Sequence, residues 1–289
     1  MKKWMLTIVA GVMVLVLAAC NDTAEPTAEI AETEEEESEL TARDVYSKAL
    51  ESSEEMESAE VTMNMKQQIE SEADSTALDM ESNFDMQMTM DPLAVYQKGS
   101  TKMMIDGEAG MPEMEIEMYM IDDGIYLYSD QLGNWVKMDN ASMDAVNAMA
   151  GEQPDPSEQL KMLEEYMDDL SFEQSDNEFI LKLNADGEKF NDLVQDMMED
   201  SLPPEMMDAM GEEDQEIMEN LTMNSVSYEI FIDKESFDMN AFNMDMDMTM
   251  EAEGEALHIV QNMESDYSNI NNVDLIEVPE DVKDSAVEE

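Results

Sequence analysis

The sequence has one cysteine, Cys20, and one histidine, His258, among its 289 residues. With no second thiol, the chain can form no internal disulfide. It also has no HExxH motif, no GxSxG motif, no glycine-rich phosphate loop and no EF-hand loop. His258 lies in a strand-like run without a partner histidine, which is typical of a surface or core residue. We therefore expect no enzymatic activity, no catalytic residue, no metal site and no cofactor.

Basic residues are also scarce. Lysine and arginine number 13 against 73 aspartates and glutamates, which gives a formal net charge of −60. Because residues 1–19 contain two lysines and no acid, the chain from Cys20 onward carries −62. Nucleic acid is excluded as a partner because it requires a basic footprint, and anionic lipid headgroups would repel this surface. So many carboxylates are tolerated best where counterions are plentiful, as around a salt-loving or alkali-loving cell.

The N-terminal apolar run is too short to span a membrane, which takes about 20 residues. This run, residues 4–16, follows Lys2 and Lys3 and leads into Leu17-Ala18-Ala19-Cys20. The pattern is typical of a secretory signal peptide. Its end resembles the lipobox of bacterial lipoproteins, in which the cysteine receives a diacylglycerol and becomes the new N-terminus. We therefore predict a signal peptide over residues 1–19 and a lipid on Cys20, which anchors the protein to the extracytoplasmic face of the cell membrane.

The next segment is strongly acidic. Residues 21–40 contain nine acids, no base and almost no apolar side chain. Such a composition cannot bury enough surface to fold, and its like charges keep the chain extended. We predict that residues 20–40 comprise the lipidated Cys20 and a disordered acidic tether.

Residues 41–289 are predicted to form a single α+β domain. Thr41 and Asp44 have the spacing of a capping box, which indicates the start of a helix. Beyond this helix, apolar and polar residues alternate in several runs separated by turn signals such as Asp91-Pro92. This alternation predicts an antiparallel meander with one wet and one buried face.

A helical insertion is predicted over about 141–219. Asp155-Pro156 gives a helix start, and amphipathic patterns follow near 160–167, 190–198 and 205–219. A short β pair is predicted inside this region, around 172–183. The period-2 alternation returns from Thr222, which predicts a second meander.

Two stretches carry a resemblance to known proteins. GIYLYSDQLGNWVKM (124–138) and VPEDV (278–282) resemble a family of uncharacterised Gram-positive lipoproteins. The order of elements over residues 41–282 is more remotely similar to lipoprotein carriers of the LolA, LolB and LppX type. This resemblance implies a strongly curved, half-barrel-like antiparallel β-sheet that wraps around helices and leaves an apolar cavity.

Methionine is unusually abundant, with 34 residues. Three strand runs would each put their apolar side chains on an inward face, and we predict that these side chains line a ligand cavity: Met86, Met88, Met90, Met114, Ile116, Met118, Met120, Met244, Met246, Met248 and Met250. Methionine is flexible and polarisable, so it adapts to ligands of varied shape.

We therefore expect a carrier of a lipid or another apolar small molecule. One alternative is a structural or partner-binding envelope lipoprotein. A second is a Cu(I)-binding protein, because thioethers are soft copper ligands.

Overall fold

The computed structural model describes residues 25–26, 40–71, 76–110, 112–138, 157, 160–161, 163–167, 169–186, 221–252 and 255–288. The predicted signal peptide, Cys20, most of the predicted tether and most of the predicted helical insertion lie outside the described residues. None of the helices in the described ranges is both long enough and apolar enough to cross a membrane.

In the part of the chain that the structure describes, fourteen β-strands form one large, curved sheet. Their bounds are β1 Glu25–Pro26, β2 Ser58–Ser71, β3 Thr76–Met90, β4 Leu93–Ile105, β5 Glu108–Ala109, β6 Met114–Ile121, β7 Gly124–Ser129, β8 Val136–Met138, β9 Ser171–Gln174, β10 Glu178–Asp186, β11 Leu221–Asp233, β12 Met239–Ala252, β13 Glu255–Ser268 and β14 Val287–Glu288. The spatial order is β1-β9-β10-β11-β12-β13-β2-β3-β4-β6-β7-β8-β14, with β5 paired only to β4. Pairing is antiparallel except at the two ends, where β1 joins β9 and β14 joins β8 in parallel.

Two meanders make up this sheet. The first runs from β2 to β8 and the second from β9 to β13. The alternation of apolar residues predicted β2, β3, β6 to β8 and β11 to β13, whereas β9 and β10 were predicted as a short β pair within the helical insertion. The pair β13–β2 joins them over 12 residue positions, from Leu257 opposite Ser71 to Ser268 opposite Glu60. The sheet is therefore continuous across the two halves of the chain.

The first helix, α1, spans Ala42–Glu54. The predicted capping box is confirmed, because the Thr41 side chain accepts from the Asp44 backbone N–H and the Asp44 carboxylate accepts from the Thr41 backbone N–H. This reciprocal pair satisfies two donors that the first turn of a helix leaves free. Val45, Tyr46 and Ala49 are buried against the second meander, in a core with Leu181, Ile230 and Phe242.

Other described helical residues are few. A 3-10 helix spans Glu164–Tyr166, and the predicted stripe around it is buried, with Leu160, Leu163 and Met167 in the core beside α1. The Tyr46 hydroxyl donates to the Leu160 backbone carbonyl over 3.1 Å. The predicted helices near 190–198 and 205–219 lie outside the described residues.

The fold-class prediction is confirmed for the curved antiparallel sheet and needs correction for the helices. The described part is β-rich rather than clearly α+β, because only α1 and the six-residue α2, Glu280–Ser285, are α-helices of more than a few described residues. Moreover, α2 does not pack on the same face of the sheet as α1. It packs on the opposite face, where Val278 and Val282 contact Tyr126.

The C-terminal strap, residues 272–279, leads to α2 without forming a strand. The Val273 backbone N–H donates to the Ser58 hydroxyl over 3.1 Å, which fixes the strap at the start of β2. At the other end α2 packs beside Trp135. The two stretches that resemble the lipoprotein family, 124–138 and 278–282, are therefore in contact with each other.

Candidate functional site: the methionine face

All eleven predicted lining residues lie on one face of the sheet, which we call the methionine face. Directly opposed residues of neighbouring antiparallel strands point to the same side. Met86 stands opposite Gln97, which stands opposite Met118, and Met88 connects to Met120 through Val95 in the same way. On the neighbouring strands β12, β13 and β2, Met244 stands opposite Met263, and Met263 stands opposite Met65. The pairing therefore brings three separate sequence runs onto a single surface.

These residues differ in burial. Met88 and Met120 are buried, at 9% and 6% exposure, in a small core with Ala59, Val61 and Ile125. The remaining nine are half-buried. Met86, Met90 and Met118 pack against that small core, whereas Met244, Met246 and Met248 pack against the core under α1. Met114, Ile116 and Met250 belong to neither core, and they lie on strand segments away from α1.

The methionine face carries no charge over its central strands. The side chains that alternate onto it from 59–71, 78–90, 244–250 and 257–267 include no Asp, Glu, Lys or Arg. The opposite face, which we call the acidic face, carries the intervening residues such as Asp245, Asp247, Glu264 and Asp266. Over these strands the sheet therefore separates its charge from its thioethers.

Further members of the methionine face were not predicted as lining residues. They are Met63, Met65, Met80, Phe84, Met103 and Met263, together with polar side chains that form pairs within the face. Gln67 donates to Gln261 over 3.1 Å, and the hydroxyls of Ser82 and Thr101 lie 2.9 Å apart. The alternation of each strand was the available signal, but only the pairing register shows which strands share a face.

His258, the single histidine, lies on the acidic face. Its Nε2 is 2.7 Å from Oδ1 of Asp247, which also accepts from the Asn224 amide over 2.8 Å. These hydrogen bonds, that of Asn224 first, hold the pKa of Asp247 below its usual value. His258 and Asn224 border a cavity of about 550 Å³ lined also by Glu70 and Thr76. This cavity contains none of the eleven predicted residues.

Comparisons with solved structures give remote likenesses. LprF from Mycobacterium bovis has 11% sequence identity and a TM-score of 0.40, over 82% of this chain and 96% of that one. A DUF1329 family protein from Desulfovibrio piger ATCC 29098 has 9% identity and a TM-score of 0.23, over 79% of this chain and 92% of that one. Both TM-scores are below 0.5, so these likenesses say nothing about a ligand.

Comparison of the sequence with known proteins and families gives a clearer result. No curated protein gives a significant match. A family profile, described as a family of unknown function (DUF6612), matches residues 41–287. That range includes both stretches, 124–138 and 278–282, on which the resemblance to uncharacterised lipoproteins rested. This chain therefore belongs to the family of unknown function DUF6612.

Proposed function

We propose that this protein is a non-enzymatic, membrane-anchored lipoprotein that holds a lipid or another apolar ligand against its methionine face. The observation that carries the proposal is that the pairing register gathers all eleven predicted side chains on one uncharged face, with nine of them half-buried. Half-buried thioethers supply apolar contact and still change rotamer, which suits ligands of varied shape.

The separation of charge supports an apolar ligand. Each acyl chain placed on the methionine face would meet thioether and aliphatic groups, and the carboxylates of the acidic face would lie on the other side of the sheet. Burial of each CH₂ group contributes about 0.8 kcal/mol, so a long chain gains enough to bind. Four polar side chains of this face are paired with each other, Gln67 with Gln261 and Ser82 with Thr101.

The test is binding of an apolar fluorescent probe to the delipidated protein. We expect the probe to bind saturably and long-chain lipids to displace it. Changing Met246 and Met248 to Asp places two charges on the methionine face, and this double variant should lose binding by at least about tenfold, because burial of an unpaired charge is costly.

A matched control introduces two charges on the opposite face. Thr222 and Val260 are exposed on strands β11 and β13, and both alternate onto the acidic face. Thr222→Asp with Val260→Asp should leave probe affinity within about twofold, since these side chains are already in water. A thermal melt of each double variant separates lost binding from lost folding. An equal loss of probe affinity in the two double variants, both still folded, would refute the methionine face as the binding site.

The anchor has its own experiment. Cys20→Ser removes the only thiol that could accept a diacylglycerol, so we expect the variant to leave the membrane fraction or to remain unprocessed. If the protein is exported to the extracytoplasmic face, a protease added to intact protoplasts should digest it. A variant that is still cleaved before position 20 and still fractionates with membranes would disprove the anchor.

The Cu(I) alternative is favoured by one cross-strand row. Met65, Met263 and Met244 are directly opposed on three adjacent strands, and opposed side chains have Cβ atoms about 4.5–5.5 Å apart. Three thioethers at that spacing are closer than successive methionines on one strand, which are about 6.6–6.8 Å apart.

Met263→Leu distinguishes the two functions because it keeps the apolar volume and removes the sulfur. A carrier should bind the probe with little change, whereas a copper protein should lose tight Cu(I) binding at a fixed ratio. If wild-type protein binds neither probe nor Cu(I), the structural or partner-binding alternative replaces both.

A further inference from the structure

A second candidate site lies on the acidic face, beneath the C-terminal strap. A cavity of about 460 Å³ has its floor on one cross-strand row, formed by Glu60, Gln87, Tyr96 and Tyr119. Its roof is the strap, residues 272–277. The row and the strap come from opposite ends of the domain sequence, and the strap is held by Ser58 at one end and by the buried Val278 at the other. The cavity therefore lies between fixed parts of the fold and is open to solvent.

One end of the floor is aromatic. The rings of Tyr96 and Tyr119 have centroids 4.6 Å apart, and the ring of Trp135 lies 5.7 Å from that of Tyr119, tilted by 45°. The Tyr96 hydroxyl donates to Glu117 over 2.9 Å. Burial first, and then this hydrogen bond, raise the pKa of Tyr96 well above its usual value, so the phenol stays neutral. Neutral phenol rings present electron-rich faces that attract cations.

The other end of the floor, and the roof, carry carboxylates. Glu60 accepts from the Gln87 amide over 2.8 Å and also from the Asn269 amide, and both donors are neutral. Asp274 and Glu277 come from the strap. Among the described residues, no lysine or arginine forms an ion pair with these three carboxylates. Glu60 is half-buried, whereas Asp274 and Glu277 are exposed at the edge of the cavity. Three like charges around one cavity repel one another, and a bound cation would relieve this repulsion.

We propose that this cavity binds the alkylammonium group of a small organic cation. A methylated ammonium is weakly hydrated, and it gains from contact with tyrosine rings as well as from nearby carboxylates. A small inorganic cation would instead require several oxygen ligands at close range. In the described residues, no cluster of three or more histidine, cysteine or acidic side chains is arranged to hold a metal ion. The aromatic floor therefore favours the organic cation.

Trp135 provides a reporter for the test. The chain has two tryptophans, Trp4 and Trp135, and Trp4 lies in the predicted signal peptide. Trp4→Phe in the detergent-solubilised protein therefore leaves Trp135, which packs beside Tyr119, as the one tryptophan whether or not residues 1–19 are removed. Tetramethylammonium chloride replaces sodium chloride at constant ionic strength, which keeps general screening unchanged. We expect a saturable change in Trp135 fluorescence that choline reproduces and additional sodium chloride does not.

Variants then locate the site. Glu60→Gln removes one charge and keeps the shape, and Tyr96→Leu removes a ring, so each should weaken binding by about fivefold. Asp79→Asn is the control: it removes a charge from the acidic face eight residues from Gln87 on the same strand and should change the affinity by less than about twofold. Glu277→Gln, on the strap, should weaken binding without touching the sheet.

Three results would overturn the proposal: no saturation with tetramethylammonium, equal effects of Glu60→Gln and Asp79→Asn, or full affinity in folded Tyr96→Leu and Glu277→Gln. Equal effects would mean that cations collect diffusely around the acidic surface. Because this cavity lies on the face opposite the methionines, probe binding at the methionine face should be the same with and without tetramethylammonium. The two proposals therefore succeed or fail separately.

Discussion

Gln67 and Gln261 form a hydrogen bond across the junction between β2 and β13, with 3.1 Å between Nε2 of Gln67 and Oε1 of Gln261. Both side chains lie on the methionine face, and residues 65 and 263 beside them are methionines. The pair therefore joins the two meanders by a polar contact within an otherwise apolar surface.

This pair predicts a specific pattern of stabilities. Gln261→Leu leaves the Gln67 amide without its partner in a half-buried position, so the free energy of unfolding should fall by about 1 kcal/mol. Gln67→Met with Gln261→Met removes both partners and should restore a value near that of the wild type. Urea unfolding of the wild type and the two variants measures these free energies. A double variant that is less stable than Gln261→Leu would contradict the interpretation.

Gly99 is predicted to be intolerant of even a methyl group. It stands opposite Phe84, and a Cβ atom at Gly99 would collide with the backbone carbonyl oxygen of Asn83 and with the Phe84 ring. Because the backbone would have to move, Gly99→Ala should lower the free energy of unfolding by about 1–3 kcal/mol. Lys102→Ala, at an exposed position of the same strand, is the control and should cost less than about 0.5 kcal/mol. Similar values for the two variants would show that the sheet relaxes around the new methyl group.

Asp233 gives a prediction about pH. Its carboxylate accepts from the backbone N–H groups of Ser236 and Glu235, at 2.9 and 2.8 Å, and these bonds, that of Ser236 first, lower its pKa in the folded state. A lowered folded pKa stabilises the protein above the unfolded value of about 3.9, and this stabilisation is lost as pH falls through the folded value.

Asp233→Ala should therefore be less stable than the wild type by about 1 kcal/mol at pH 7, and the difference should shrink below about pH 4. Asp266→Ala, at an exposed strand position, corrects for the general effect of removing one negative charge. Chemical denaturation at several pH values gives both differences. A gap for Asp233→Ala that stays constant down to pH 2 would rule out the turn as its cause.

Salt should stabilise this protein. With a net charge of −60 on the full chain and only 13 basic residues, repulsion among carboxylates opposes folding. The screening length falls from about 30 Å at 0.01 M salt to about 3 Å at 1 M, so the melting temperature should rise over that range. A flat profile would mean that the carboxylates are too well dispersed for their repulsion to matter.

Much of the fold could be predicted because its strands alternate strictly. The capping box at Thr41 and most strands of both meanders follow from local patterns, and these depend on neighbours in the chain. β4 was not predicted because its residues on the methionine face include Gln97, Gly99 and Thr101, which interrupt the apolar alternation. The apolar residues of 273–278 belong to the strap, where Val278 is buried against the acidic face.

The candidate site could be predicted only strand by strand. The sequence indicates that Met244 and Met246 share a face, yet it does not indicate that Met263 stands between Met244 and Met65. That relation depends on which strands pair and in which register, and pairing between distant strands is a tertiary property. The cavity beneath the strap could not be predicted for the same reason, since Tyr96 and Glu277 meet only through the fold.

The junction of β2 with β13 also determines when the sheet can be completed during synthesis of the protein. Gln67 and Gln261 are 194 residues apart in the chain, so β2 leaves the ribosome long before its partner exists. Until β13 follows, the first meander has an open strand edge beside an apolar surface, a combination that invites pairing with other chains. Closing so long a loop is slow compared with forming the hairpins on either side. A nascent chain stopped before residue 255 would therefore hold two unfinished sheets, and newly made protein needs protection from aggregation until its last long strand arrives.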